Sequence, residues 1–199
     1  MKQEIEYKLD VPLESSEYEL FFAACLLASG MKYHPGPWRE FTRRFTYYDT
    51  QTLDFYRNGW TARMVEGFDP KKSPGTYRYD LKIGPLHDRY EESRWSHKHE
   101  DVNEFLRNNL AQIGIDQPVH PHATLAMKTL ASEIRKGDTI IEATLDYCAI
   151  IHGPSFKELE LELKEGSRAP LDELIVVFKQ TFGLQQLSMQ KYTRVMNLL

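Results

Sequence analysis

The sequence predicts an α+β fold, in which antiparallel β-strands form a large sheet and helices pack against its apolar face. Several segments alternate charged residues with apolar or aromatic ones, and this period of two is typical of a strand with one polar face. Other segments repeat apolar residues at three and four positions, as a helix with one packed face does. With 199 residues, of which 41% are hydrophobic, the chain can bury one sizeable core. We therefore expect residues 1–199 to form a single domain.

The N-terminal residues are expected to form the first strand. Glu4, Glu6 and Lys8 stand at alternate positions, so that they share one face of that strand. An isolated alternation of this kind is most often the solvated face of a sheet. The meaning of these three charges therefore depends on the other strands.

A break at residues 12–16 ends the first strand, and a helix is expected to follow it. Ser16 and Glu19 have the spacing of a capping box ahead of an apolar run, and the helix should continue to about Gly30. Cys25 lies in this helix and Cys148 far along the chain, and neither belongs to a paired ligand spacing. We interpret both cysteines as reduced, buried thiols.

Residues 41–95 are expected to form several antiparallel strands, because this segment is rich in Tyr, Phe, Thr and Arg. The strands follow a turn at residues 35–37, and breaks fall at 58–59, 69–75 and 84–85. Each break contains glycine or proline, which end strands readily.

The second half of the chain continues both patterns. A helix is expected at 101–114, and two strands are expected at 140–151 and 156–163 with a turn between them. Residues 123–135 fit a basic strand loosely and also have a helical periodicity, so both assignments stay open.

Two helices are expected near the C-terminus. Pro170 suits the first turn of a helix that ends at Gly183. A last short helix is expected to begin near Ser188.

Charged residues fall on alternate positions in most of these strands, and their signs are segregated. Carboxylates dominate the first strand and a late one, at Glu4, Glu6, Glu158, Glu160 and Glu162, whereas cations dominate the middle strands, at Arg63, Lys82 and Arg89. Solvated sheets usually mix the two signs, because like charges directly opposite each other are destabilising. Clustered carboxylates favour a metal ion, and clustered cations favour a polyanion.

Short motifs follow one another along nearly the whole chain. They are Glu4-x-Glu6-x-Lys8, Tyr47-Tyr48-Asp49-Thr50, Gly59-Trp60-Thr61-Ala62-Arg63, Leu81-Lys82-Ile83-Gly84, Arg89-Tyr90-Glu91-Glu92, Asp146 with Gly153 and Phe156-Lys157-Glu158-Leu159-Glu160, and Lys191-Tyr192-Thr193-Arg194. In this order they resemble the motifs of the CYTH, or triphosphate tunnel metalloenzyme, superfamily. The chain departs from that pattern at Val65, where the family has the second arginine of an LRxR motif, and at Gln190, where it has a serine.

The resemblance implies an eight-stranded antiparallel β-barrel that forms a polar tunnel, with helices packed outside. Charged strand faces could then point inward, because bound polyphosphate and metal balance the two signs. One or two Mg²⁺ or Mn²⁺ ions are implied as cofactors, since these hard cations prefer carboxylates together with phosphate oxygens. The implied metal ligands are Glu4, Glu6, Glu158 and Glu160, with Asp146. Glu162 is either a further ligand or the solvated end of its strand.

The same resemblance implies that cationic side chains bind the phosphates, arginine through bidentate contacts and lysine as a point charge. The implied residues are Lys8, Arg63, Lys82, Arg89 and Lys191, with Arg44, Lys128, Arg135 and Arg194 as further members. Arg43 is an equal alternative to Arg44. Glu4, Glu6 and Lys8 are the expected catalytic residues.

The expected activity is metal-dependent hydrolysis of tripolyphosphate, thiamine triphosphate or a nucleoside triphosphate. Charge spreads over the transferred phosphoryl group, so fixed cations and a bridging metal would supply most of the stabilisation, and a metal-polarised water would attack. Three alternatives stay open. They are a class IV adenylyl cyclase that makes cyclic AMP from ATP, an RNA 5′-triphosphatase, and a catalytically silent polyphosphate-binding module.

Charge and composition argue against several other classes. The formal net charge of -4 disfavours a broad nucleic-acid surface, so the expected partner is a triphosphate-containing small molecule. No apolar run reaches the length of a membrane span, and the charged N-terminus differs from a signal peptide. We therefore expect a cytoplasmic protein without membrane contact. A monomer and a homodimer both stay open. His97-x-His99 and His120-x-His122 are interpreted as exposed loop residues rather than zinc ligands.

Overall fold

The computed structural model of the chain describes residues 2–68, 77–84, 89–100, 102–112 and 114–199. At residues 2–4, 68, 89, 107, 108 and 112 the description covers the backbone but not the side chain. The side chains of Glu4 and Arg89, both predicted to belong to the site, therefore lie outside the described part of the chain.

The described residues form ten strands and five helices. The strands are β1 (Lys2–Val11), β2 (His34–Pro35), β3 (Arg39–Asp49), β4 (Thr61–Phe68), β5 (Tyr77–Ile83), β6 (Arg89–Ser96), β7 (His120–Lys136), β8 (Thr139–Ile150), β9 (Ser155–Glu165) and β10 (Gln185–Gln186). The helices are α1 (Glu17–Gly30), α2 (Asp54–Asn58), α3 (Val102–Gln112), α4 (Arg168–Phe182) and α5 (Lys191–Leu198).

The strands pair antiparallel in one large sheet, in the order β6-β5-β4-β3-β7-β8-β9. Strand β1 pairs with β9 along residues 5–11 and with β6 along residues 2–4. The short strands β2 and β10 add to β7 and β1. These pairings confirm the predicted α+β fold with a large antiparallel sheet. The eight-stranded barrel stays a prediction.

Residues 123–135, for which strand and helix were both open, belong to strand β7, which pairs with β3 on one side and β8 on the other. Along Thr129, Leu130, Ala131 and Ser132 every residue is buried, so this strand is covered on both faces. A strand buried on both faces loses the apolar-polar alternation by which a strand is recognised. Its sequence pattern was ambiguous for this reason.

Apolar side chains of the sheet pack against the helices. Leu145 of β8 and Leu161 of β9 are fully buried together with Leu174 and Phe178 of α4. Cys25 and Cys148 are both free and buried, as predicted. Because apolar residues alternate with polar ones along β8 and β9, the polar side chains of these strands point away from α4. None of the helices in the described part of the chain is both long and apolar enough to span a membrane.

Candidate functional site

The polar side chains of the sheet surround a cavity of about 140 Å³. Side chains from β1, β3, β4, β5, β6, β7, β8 and β9 line it, and residues 190–192 at the start of α5 lie at one end. We call the face of each strand that lines this space its cavity face. A cavity bordered by so many charged groups is built for a charged ligand rather than for an apolar one.

The neighbouring strands β1, β9 and β8 form an acidic wall of the cavity. Glu6 of β1 pairs directly with Glu162 of β9, and Glu162 pairs directly with Glu142 of β8. Glu160, two residues before Glu162 in β9, lines the cavity beside Lys8. Asp146 of β8 lines it closer to α5. Carboxylates directly opposite each other repel, so this wall needs compensating cations.

Three lysines lie between the carboxylates of the acidic wall. Lys191 of α5 lies 2.5 Å from Asp146 and 3.0 Å from Glu160. Lys8 forms ion pairs with Glu160 and, at 3.1 Å, with Glu6. Lys164 pairs with Glu162 at 2.5 Å and with Glu142 at 3.0 Å. The wall is therefore an alternating network of carboxylates and ammonium groups.

This network sets the protonation states of its members. Burial by itself would lower the pKa of Lys8 and of Lys191, but the adjacent carboxylates outweigh it and raise both pKa values above the usual range. Burial likewise acts to raise the pKa of Glu160, but Lys191 and Lys8 outweigh it and hold that pKa well below its ordinary value. Both lysines are therefore charged, and Glu160 is ionised.

The strands β3, β4 and β5 form a basic wall of the same cavity. Its cationic members are Arg43 of β3, Arg63 of β4, and Arg78 and Lys82 of β5. Asp80 is fully buried among them and pairs with Arg63 and Arg78, in each case at 2.8 Å. This carboxylate fixes two guanidinium groups in place at the edge of the cavity.

Arg78 stands directly opposite Val65, the position at which the family motif has its second arginine. The side chain of Arg78 lines the cavity, so the neighbouring strand supplies a guanidinium near the place where β4 lacks one. Arg78 is not among the phosphate-binding residues that the sequence predicts. Its two-residue spacings to Asp80 and Lys82 place it on the cavity face of β5 and could have identified it.

The Asp80 cluster predicts a pH-dependent loss of stability. Burial would raise the pKa of Asp80, but Arg63 and Arg78 outweigh it and lower that pKa far below its ordinary value. The stabilisation is complete above the unfolded-state pKa of about 4 and is lost as the pH falls towards the folded-state pKa. We expect Asp80→Asn to cost about 3–5 kcal/mol at neutral pH, and the difference from wild type to shrink below about pH 4. Urea unfolding of both proteins across this range measures it, and a difference that stays constant with pH would contradict the assignment.

Several predicted site residues do not reach the cavity. Arg44 is exposed and lies beside Glu66 at 3.8 Å, while its neighbour Arg43 lines the cavity. Lys128 donates a hydrogen bond to the hydroxyl of Tyr18 in α1, at 2.7 Å. Arg135 is exposed and pairs with the carboxylate of Glu133. Arg43 and Met127, the neighbours of Arg44 and Lys128, carry the cavity face instead, because adjacent side chains of a strand point to opposite sides. Arg135 shares the face of Met127 and Thr129 but lies towards the end of β7, beyond the residues that line the cavity.

Two further predicted residues lie behind the wall of the cavity. Glu158 is fully buried, 3.4 Å from both Lys191 and Arg194. Arg194 also pairs with Asp10 at 2.5 Å. Burial raises the pKa of Glu158 above its ordinary value, although Lys191 and Lys8 oppose this. The structure therefore places Glu158 and Arg194 as supports of Lys191 rather than in the lining of the cavity.

The start of α5 closes one end of the cavity. The side-chain oxygen of Gln190 accepts a hydrogen bond from Thr61 at 2.5 Å, and Tyr192 stacks on Tyr47 with ring centroids 5.1 Å apart. Along β9 the exposed fraction of the side chain rises from 0% at Glu158 to 34% at Lys164. The cavity therefore opens at the end away from α5.

The hydroxyl of Tyr47 lines this closed end and makes no hydrogen bond to any described residue. Burial raises the pKa of Tyr47 to about 12, so the group remains a neutral donor. A fully buried hydroxyl without a partner is costly, and a ligand oxygen in the cavity would satisfy it.

The donor chemistry of the acidic wall fits a hard divalent cation. Within the described ranges, however, no three His, Cys, Asp or Glu side chains are arranged to hold a metal ion. Mg²⁺ commonly binds through one or two carboxylates together with water and substrate phosphates, and Glu6 and Glu160 are the candidate protein donors of the acidic wall. His120 and His122, which were predicted to lie in a loop, are exposed residues of strand β7.

Solved structures with a similar fold span almost the whole chain, whereas no protein-family model and no curated protein sequence matches it. A candidate adenylate cyclase from Bacillus halodurans is 18% identical with a TM-score of 0.64, over 98% of both chains. A protein from Pyrococcus horikoshii is 14% identical with a TM-score of 0.62, also over 98% of both chains.

A third similar structure is an adenylyl cyclase candidate from Hippeastrum for which a dominant triphosphatase activity is described. It is 17% identical with a TM-score of 0.59, over 98% of this chain and 97% of that one. The chain therefore shares its fold with these proteins over nearly its whole length.

Proposed function

We propose that the sheet wraps around the cavity as an eight-stranded barrel, and that the chain binds a triphosphate in this tunnel and hydrolyses it with a divalent cation. The pairing of β1 with both β6 and β9 supports the barrel. The observation that carries the function is the division of the cavity into a basic wall on β3, β4 and β5 and an acidic wall on β1, β8 and β9. A triphosphate with its metal ion has the matching distribution of charge.

The basic wall binds the phosphate oxygens. Arg43, Arg63 and Arg78 offer planar guanidinium groups suited to bidentate contacts, and Lys82 adds a point charge. The hydroxyl of Tyr47 donates a further hydrogen bond at the closed end. Because these groups are fixed by the sheet and by Asp80, they need little reorganisation as charge spreads over the transferred phosphoryl group.

The acidic wall would hold the cation through Glu6 and Glu160, together with Glu4 from the first motif. When bound, Mg²⁺ or Mn²⁺ would neutralise phosphate charge and polarise the attacking water. Lys8 and Lys191 keep the carboxylates ionised and in position. These ionised carboxylates accept hydrogen bonds from the attacking water and orient it towards the terminal phosphorus.

A second candidate is the class IV adenylyl cyclase reaction, in which the ribose 3′-oxygen of ATP attacks the α-phosphate. The likeness in fold to cyclase candidates favours keeping it. A silent polyphosphate-binding module is disfavoured, because Arg78 lines the cavity opposite Val65 and so restores a guanidinium to the basic wall.

The adjacent residues Arg43 and Arg44 provide a matched test. We expect purified protein with Mg²⁺ or Mn²⁺ to release phosphate from at least one of tripolyphosphate, thiamine triphosphate and ATP. Arg43→Ala should weaken triphosphate binding by about tenfold or more, because it removes hydrogen bonds to a charged ligand, and Arg44→Ala should leave it unchanged. Phosphate release, chromatography of cyclic AMP and calorimetry measure these outcomes.

Each readout separates one candidate from the others. Cyclic AMP in place of phosphate would identify the cyclase, and tight binding without turnover would identify the silent module. Equal losses in Arg43→Ala and Arg44→Ala would contradict the assignment of the cavity, and no binding of any triphosphate would refute the proposed function.

A further inference from the structure

We propose that Thr129 of β7 is a positioning residue, whose hydroxyl fixes the guanidinium group of Arg43 against the carboxylate of Asp146 and so joins the basic wall to the acidic wall. This inference rests on the proposed function, in which Arg43 binds phosphate. Thr129 is not itself among the residues that line the cavity, and it acts through the two lining residues that it contacts.

Strand β7 lies between the two walls, since it pairs with β3 of the basic wall on one side and with β8 of the acidic wall on the other. Thr129 is fully buried and stands directly opposite Asp146 of β8. Two residues before it, Met127 lines the cavity, so that Thr129 lies on the same face of the strand. Because neither Met127 nor Thr129 carries a charge, a neutral hydroxyl lies between the two walls at this place.

The hydroxyl of Thr129 makes one hydrogen bond towards each wall. It donates to Oδ1 of Asp146 at 2.6 Å and accepts from Nη2 of Arg43 at 3.1 Å. A guanidinium group can only donate, so the hydroxyl accepts from Arg43 and its single proton is left for the carboxylate. The other oxygen of Asp146, Oδ2, accepts from Lys191 at 2.5 Å. A continuous chain of hydrogen bonds therefore runs from Arg43 to Lys191.

Arg43 depends on this contact more than the other arginines of the basic wall do. Asp80 holds two of them by ion pairs, whereas within the described part of the chain Arg43 forms no ion pair and makes its one hydrogen bond to Thr129. Its Nε atom is buried and has no partner among the described residues. The ring centroids of Phe41 and Phe45 lie 4.6 and 5.3 Å from its guanidinium carbon, but a ring face does not fix the direction of the N–H groups. The hydroxyl of Thr129 is therefore the group that sets the orientation of this guanidinium.

Orientation matters for a guanidinium that binds phosphate, because its bidentate contacts require the plane of the group to face two oxygens at once. A side chain that is ordered before binding also loses less conformational entropy when the ligand arrives. Asp146 depends on the hydroxyl as well, since its loss would leave one oxygen of a buried carboxylate without its donor. Removal of the hydroxyl should therefore weaken triphosphate binding through Arg43 and also destabilise the fold.

The test combines Thr129→Val with Arg43→Ala, and it measures the dissociation constant of tripolyphosphate by calorimetry without added divalent ion. Valine keeps the volume of threonine but forms neither hydrogen bond, and we expect Thr129→Val to weaken binding by about three- to tenfold. Thr129→Ser retains the hydroxyl and should bind within about twofold of wild type. In the Arg43→Ala background Thr129→Val should change the dissociation constant by less than about twofold, because the residue through which it acts is absent.

Ser132→Ala is the matched control. Ser132 is a fully buried residue on the opposite face of the same strand, and its hydroxyl donates a hydrogen bond to the backbone oxygen of Gly36 at 2.9 Å. Urea unfolding should show that Ser132→Ala and Thr129→Val both lose stability, whereas only Thr129→Val loses affinity. If Thr129→Val does not fold, Thr129→Ala removes the same hydroxyl without placing a methyl group against Asp146, and it should lose affinity to the same extent.

Three results would overturn the inference and leave the triphosphate site standing. Wild-type affinity in folded Thr129→Val or Thr129→Ala would show that the hydroxyl does not position Arg43. A loss in Thr129→Ser equal to that in Thr129→Val would attribute the effect to shape rather than to the hydrogen bonds. An undiminished loss in the Arg43→Ala background would show that Thr129 does not act through Arg43. Failure of wild type to bind any triphosphate would refute both this inference and the proposed function.

Discussion

Glu6→Gln is expected to reduce divalent-ion-dependent triphosphate turnover by about a hundred- to a thousandfold. Glu6 is 2% exposed, lines the acidic wall, and lies 3.1 Å from the ammonium group of Lys8. Glutamine keeps the shape of the side chain but removes the negative charge that would hold a hard cation. Steady-state phosphate release over a series of Mg²⁺ and Mn²⁺ concentrations measures the effect.

Two controls accompany this variant. Glu40→Gln changes an exposed glutamate of β3 that pairs with Lys128 outside the cavity, and it should retain full turnover. Urea unfolding should show that Glu6→Gln remains folded, because Lys8 keeps its ion pair with Glu160. Full retained activity of folded Glu6→Gln would disprove the assigned role of the acidic wall.

Asp49→Ala is expected to lower the free energy of unfolding by about 3–5 kcal/mol. The carboxylate of Asp49 is fully buried and accepts hydrogen bonds from the backbone N–H groups of Thr50, Phe55 and Tyr56, at 2.8 to 2.9 Å. It also accepts one from the hydroxyl of Tyr192, at 2.8 Å. Alanine would leave all four donors without this partner, and burial makes an unsatisfied donor costly.

This loss should extend from stability to the site, because Tyr192 follows Lys191 at the start of α5 and stacks on Tyr47. Urea unfolding and triphosphate binding measure the two effects. Asp49→Asn retains one acceptor oxygen and should lose less stability than Asp49→Ala. Asp116→Ala, at an exposed position, should stay within about 0.5 kcal/mol of wild type. An Asp49→Ala protein as stable as Asp116→Ala would contradict the structural role.

The aspartate of the Tyr47-Tyr48-Asp49-Thr50 motif shows how a motif differs from a site. The motif contributed to the resemblance to a family, but it did not indicate what the side chain of Asp49 does. The structure shows that the carboxylate connects α2 to α5, two helices that are far apart along the chain. Such a connection depends on tertiary contacts, which no local pattern records.

The pair Arg43 and Arg44 shows the limit of strand periodicity. A period of two separates these residues onto opposite faces, but the outward face of β3 is polar as well, with Thr42 and Arg44 both exposed. Where both faces tolerate polar groups, the sequence does not determine which one turns inward. The neighbouring strands decided it, by placing Arg43 beside Gly67 and the Thr129–Asp146 pair.

The sequence by itself determined the α+β class, because the alternation of polar and apolar residues is a local property. Alternation and motif order also identified the carboxylates Glu6 and Glu160 and the cations Lys8, Arg63, Lys82 and Lys191. The tertiary structure decided which residues meet. It brought Arg78 opposite Val65, turned Lys128 outward, left Arg135 beyond the lining of the cavity, and placed Glu158 behind Lys191. It did so because strand register and helix docking fix cross-strand neighbours, and a shift of one residue would exchange the two faces of a strand.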